Sequence, residues 1–149
     1  MTLREFEIFI FHLNINKKDR LEILKKYAGL PEIRHALYYI KYPLIKFIVP
    51  RTSFDSIPFK KNKNIKDRTI LFNAIINKMP YFIESGYTQN ISKYKIQRLY
   101  IETLENMHYK DAEFFVKIVR KKYKIKNITL KMLNKVYKPE YTGITLHDY

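Results

Sequence analysis

Apolar residues recur along this chain at intervals of three and four, which lines one face of an α-helix. The first such stripe, Leu3, Phe6, Phe9, Ile10 and Leu13, predicts a helix over about 2–14, with Thr2 and Glu5 at capping-box spacing. A second is expected over about 17–28, with Asn16 as its cap and Gly29 just past its end, where a left-handed residue is cheapest. Pro31 stands where a first helical position belongs and opens a third helix through about Tyr42. The apolar block Pro43–Pro50 is closed by prolines at both ends, and its pattern suits a short buried helix or an extended segment equally.

Residues 51–66 break the periodicity and read as a basic loop carrying Lys60, Lys61, Lys63 and Lys66. A fourth helix is expected over about 67–78, with a further turn at 81–84 before Gly86. Ser92 caps a helix to about Met107 with the stripe Ile96, Leu99, Tyr100, Thr103, Leu104 and Met107. The next runs over about 110–123 and buries Ala112, Phe115, Ile118 and Val119. Thr129 caps a last helix to about Tyr137, ended by Pro139. With three glycines and no internal repeat, the pattern predicts an all-α fold. About seven short helices form one compact domain over 1–149, with an extra N-terminal helix (1–16) and a basic C-terminal half (92–138).

Charge changes the picture. The chain carries +15 overall, and Lys117–Lys126 places six cations and no acid in ten residues. Lys117, Arg120, Lys121 and Lys124 fall opposite Phe115 at 100° per residue, so a continuous helix would turn them to solvent. A field of that sign attracts polyanions. The other account of the face is a solvated helix end, because cations there meet the negative end of the dipole. The candidate nucleic-acid-binding set is Lys117, Arg120, Lys121, Lys124 and Lys126, flanked by Lys60, Lys61 and Lys63. Tyr123, with Tyr109 and Tyr137, interleaves with lysines and offers rings for stacking on unpaired bases. Lysines outnumber arginines by 22 to 7, which favours phosphate contact over bidentate base reading. The abundance of Lys, Asn, Ile, Tyr and Phe also matches A/T-rich codons.

Chemistry is otherwise sparse. There is no cysteine, which removes disulfides, thiolate metal sites and cysteine nucleophiles. No glycine-rich phosphate loop, nucleophile elbow or His-Glu-x-x-His pattern occurs. Glu32/His35 and Glu105/His108 have the i,i+3 spacing of di-iron bundles, but such a site also needs two further glutamates on long neighbouring helices, and the first motif lies in a helix of about three turns. No enzyme activity, cofactor or metal is expected. No apolar run approaches the ~20 residues that span a bilayer, and acids occupy the N-terminus where a signal peptide would be basic. The expectation is a soluble, intracellular protein without a membrane partner.

Several segments resemble an uncharacterised family of small proteins encoded by T-even-like tailed bacteriophages. They are Leu21–Ala28, Pro43–Pro50, Phe82–Gly86, Lys95–His108 with Asp111–Glu113, and Ile128–Leu133, in that order. The similarity covers most of Leu21 to Tyr137. The chain departs from the pattern in its N-terminal helix, its lysine content and Ser85, where the family has a second glycine. The resemblance implies a phage-encoded protein in the cytoplasm of an infected bacterium. It carries no established activity and no residue roles. The expectation is a non-enzymatic accessory protein that binds nucleic acid, DNA or RNA, mainly through phosphates. The alternative is a host- or phage-protein binding module, an adaptor or inhibitor of transcription or replication machinery. Its anchors would be Phe6, Phe9 and Phe11, or the Pro43–Pro50 block.

Overall fold

The computed structural model describes residues 1–48 and 71–137, with the side chains of Gly86 and Tyr87 excepted. The fold is all-α, as the periodicity predicts. Among the described residues the helices are α1 (Leu3–Ile15), α2 (Arg20–Tyr27), α3 (Pro31–Lys41), α4 (Phe72–Ile76), α5 (Gly86–Gln89), α6 (Lys93–Glu105), α7 (Tyr109–Val119) and α8 (Leu130–Val136). A single 3₁₀ turn spans Met79–Phe82.

Local chemistry accounts for most of the starts. The Thr2 hydroxyl accepts from the Glu5 amide at 3.3 Å while the Thr2 amide donates to the Glu5 carboxylate at 2.9 Å, which completes the capping box of α1. Ser92 accepts from the Lys95 amide at 3.2 Å, and Thr129 from the Met132 amide at 3.2 Å. Pro31 is the first residue of α3. Asn16 does not cap α2. Its side-chain amide donates back to the His12 carbonyl at 3.0 Å and closes α1, and α2 starts later, behind Asp19. Nor is Gly29 left-handed; α2 closes with the Ala28 amide donating to the Lys25 carbonyl at 3.2 Å.

In the described part of the Pro43–Pro50 block, Pro43 and Leu44 form a turn and residues 45–48 run extended, not helical. Phe47 pairs with Ile83 in an isolated antiparallel bridge. The Ile48 amide donates to the Phe82 carbonyl at 2.6 Å and the Glu84 amide to the Lys46 carbonyl at 2.7 Å. The N-terminus is held similarly, with the Phe72 amide donating to the Met1 carbonyl at 2.8 Å. These two pairings tie distant segments together where short helices alone would leave amides without partners.

The core is aromatic. Phe6 stacks on Phe72 at 4.4 Å between centroids, and Phe114 meets both edge-on at 5.7 and 5.9 Å. Phe82, Tyr100 and Phe115 form a second cluster at 5.2–6.0 Å. Such pairs add about 0.5–1.5 kcal/mol each beyond the area they bury. α3 packs on α4 and α8, α6 on α7, and α2 on both α1 and α8. Leu99, expected in the α6 stripe, is 40% exposed.

Candidate nucleic-acid interface

The expected helix over 110–123 stops at Val119, and that early end rearranges the basic segment. Lys121 takes a left-handed backbone, φ 57°. Its amide donates to the Ile118 carbonyl at 2.9 Å, and the amides of Lys122 and Tyr123 reach the Lys117 carbonyl at 2.8 and 3.1 Å. This is a Schellman closure with lysine at the position glycine usually fills. A side chain there costs roughly 1–2 kcal/mol, so something must offset it.

The offset is tertiary. The Lys121 ammonium turns inward and donates to the carbonyls of Tyr39, a short contact, and of Tyr42 at 3.3 Å. It also lies 5.4 Å from the centre of the Phe47 ring. These carbonyls belong to the last turn of α3, the negative end of its dipole. Burial pulls the Lys121 pKa down to about 8. A reciprocal contact runs the other way: Lys41, at the end of α3, donates its ammonium to the Ile125 carbonyl at 2.6 Å. Burial, and then the neighbouring Lys124, lower the Lys41 pKa.

Beyond Lys121 the chain crosses to α1. The Lys126 amide donates to the Asn14 side chain at 2.9 Å. Asn127, also left-handed at φ 65°, donates its side-chain amide to the carbonyls of Leu13 at 3.1 Å and Asn14 at 3.2 Å. Residues 120–127 therefore form an arch over the C-terminal ends of α7, α3 and α1. Exposure alternates along it: Lys122, Lys124 and Lys126 face solvent, whereas Tyr123 is half-buried and Ile125 buried. Lys17 and Lys18, exposed in the turn that follows α1, lie just beyond the anchored Asn14.

The expected site residues are thus divided. Lys124 and Lys126 are exposed on the arch, and Lys122, absent from the expected set, stands between Lys121 and Tyr123 with them. Lys121 is corrected from a phosphate contact to an internal cap of α3. Tyr123 is corrected as well. Its ring packs edge-on against Phe114 at 5.1 Å, and burial, then Glu7, push its hydroxyl up to about 12. Arg120 is half-buried at the C-cap of α7. Lys117 is exposed but shares a cleft of about 250 Å³ with Glu7, Lys110, Glu113, Phe114 and Tyr123, so acids temper that side. The continuous cationic helix face does not form. Lys60, Lys61 and Lys63 lie outside the described residues, as does the rest of the 51–66 loop.

The other ring candidates are also occupied. Tyr137 is buried, and Tyr109 stacks on His108 at 4.7 Å. His108 accepts from the Lys110 amide through Nδ1 at 3.1 Å, so its spacing from Glu105 reflects a helix cap. For the alternative reading, Phe6 and Phe9 are buried in the core whereas Phe11 is 59% exposed. Leu44 is exposed and Ile45 buried. Among the described residues no helix is long and apolar enough to cross a membrane.

No protein family, no curated protein and no solved structure matches the chain. The phage-family resemblance therefore rests on the five sequence segments alone.

Proposed function

We propose that the protein is a non-enzymatic nucleic-acid-binding accessory protein that grips phosphates with the arch, Lys122, Lys124 and Lys126 making the central contacts. One observation carries this reading: three exposed lysines alternate with two inward residues on a segment pinned at both ends. Two residues of chain span at most about 7 Å, so the ammonium groups repeat on a scale that suits successive phosphates of one strand. The pinning by Lys121 and Asn127 orders the arch before binding, which lowers the entropy lost on association. Lysine supplies point charges without a bidentate fork, so sequence preference is weak. The resemblance to phage proteins supplies a setting, infected bacterial cytoplasm, where such a protein would serve transcription or replication.

Fluorescence anisotropy with single- and double-stranded DNA over a salt series tests the reading. Affinity should fall steeply with salt. The Lys122→Ala/Lys124→Ala/Lys126→Ala triple variant should reduce the log–log slope by about 2–3, at 0.7–0.9 for each phosphate it no longer neutralises. A flat salt response, or an unchanged slope in the triple variant, would rule it out.

A second reading, a protein-binding module, is favoured by a different surface. Ile8, Phe11 and Ile15 are exposed on α1 at 49%, 59% and 59%. Retention of one stoichiometric protein in nuclease-treated infected-cell lysate, abolished in Phe11→Glu, would favour it over nucleic acid.

A further inference from the structure

The contact between α3 and α8 gathers polar side chains that the core does not use. Arg34 and Tyr38 are four residues apart on α3 and share one face, while Asn134 and Tyr137 are three apart at the end of α8. The two helices pack together. The Tyr38 hydroxyl donates to the Asn134 side-chain carbonyl at 2.8 Å, which fixes that amide and leaves its nitrogen to donate elsewhere. The Tyr137 ring lies 6.2 Å from the Tyr38 ring.

Two donors here have no acceptor. Tyr137 is 3% exposed and its hydroxyl meets no partner, and the buried Nε of Arg34 meets none either. Buried polar groups in folded proteins are nearly always satisfied, so two orphans at one contact call for an explanation. The Arg34 charge is also unanswered. Among the described residues it enters no ion pair, and α8 holds no acid. Glu32, two residues from Arg34, lies about 200° round α3. Burial raises the pKa of both Tyr38 and Tyr137, and the Arg34 guanidinium opposes the rise in each, so its charge reaches both hydroxyls. Water would answer the donors one at a time and leave the charge. An oxyanion answers all of them together.

We infer that Arg34, Asn134 and Tyr137 form a binding site for a phosphate monoester group, with Tyr38 as the residue that positions Asn134. Three separate donors match the three terminal oxygens of a monoester, whereas a carboxylate or a phosphodiester offers two. Asn134 is exposed, so the site opens to solvent at that edge, and the exposed Lys131 and Lys135 of α8 add positive potential around it. The inference rests neither on the arch nor on the binding of a nucleic-acid strand.

Isothermal titration with inorganic phosphate at constant ionic strength, beside thermal unfolding, tests it. The wild type should bind phosphate saturably and melt higher in its presence. Tyr137→Phe should weaken phosphate about fivefold, the worth of one hydrogen bond, and Arg34→Gln by about tenfold or more, as for a charge-assisted contact. Without phosphate the Tyr137 hydroxyl bonds to nothing in the protein, so Tyr137→Phe should then melt no lower than wild type. A trinucleotide with a 5′-phosphate, set against its 5′-hydroxyl form, separates the sources of the group. A preference for the phosphorylated end that disappears in Tyr137→Phe assigns the site to nucleic-acid ends, and equal affinity for the two, with inorganic phosphate bound, assigns it to free phosphate. Absence of saturable phosphate binding at millimolar concentrations would overturn the inference. So would an affinity unchanged in both variants, which places phosphate on surface lysines, or a Tyr137→Phe protein that melts lower without phosphate.

Discussion

Lys121 shows how little a residue's type says about its use. It sits in the most basic stretch of the chain, yet its ammonium is spent on the carbonyls of Tyr39 and Tyr42. Lys121→Met should destabilise the fold at neutral pH by about 1–3 kcal/mol, the usual cost of leaving buried acceptors without a donor. Equilibrium urea unfolding measures it. The pH dependence separates the charge from the packing. Lys121 has a free-chain value of 10.5 and a folded value of about 8. Between these limits the unfolded chain holds more protons than the folded one, so this group makes stability rise with pH from about 8. The stability difference between wild type and Lys121→Met should therefore widen from pH 8 to pH 10. A constant difference would show that the ammonium is not desolvated. Tyr123 belongs at the same scale. Tyr123→Phe keeps the edge contact with Phe114 and removes only the hydroxyl, so DNA anisotropy should be unchanged, and a weakened affinity would show the hydroxyl reaching the nucleic acid.

Among the elements, the arch is the one whose form and use coincide. It runs between two left-handed residues, and its span is set by hydrogen bonds to α7, α3 and α1 rather than by any bonding of its own. Asn127→Ala removes donors to the Leu13 and Asn14 carbonyls and places a methyl side chain at positive φ. It should cost about 1–3 kcal/mol in chemical denaturation. Asn127→Gly removes the same donors but relieves the backbone, so it should be the milder of the two. If the arch presents its lysines as a unit, Asn127→Ala should also weaken DNA binding without changing the salt slope, because every phosphate-binding lysine is still present. Asn127 is a positioning residue in this account, and a reduced slope would show instead that its neighbours no longer reach the phosphates.

For the whole molecule, packing between distant segments decides stability. Phe6 touches α4 through Phe72 and α7 through Phe114, so one side chain links the N-terminal helix to the C-terminal half. Phe6→Ala should cost about 3–5 kcal/mol. It should do so in a single transition followed equally by far-ultraviolet circular dichroism and tyrosine fluorescence. Two non-coincident transitions would mean that the N-terminal helix folds as a separate unit.

The sequence by itself determined the elements whose causes are local. Thr2, Ser92 and Thr129 cap helices because their hydroxyls reach an amide three residues ahead, and Pro31 opens α3 because its fixed φ suits a first turn. The apolar stripes of α1 and α7 were legible for the same reason. Part of the arch was legible too: Lys122-Tyr123-Lys124-Ile125-Lys126 alternates with a period of two, the mark of an extended chain, but a helix projected through it masked that signal. Only the tertiary structure decided where α7 stops and which lysines turn inward. The C-terminal carbonyls of α1 and α3 lie some eighty to more than a hundred residues from Lys121 and Asn127 in the chain. A helix end without partners must find donors wherever folding brings them, and no spacing along the chain records that need.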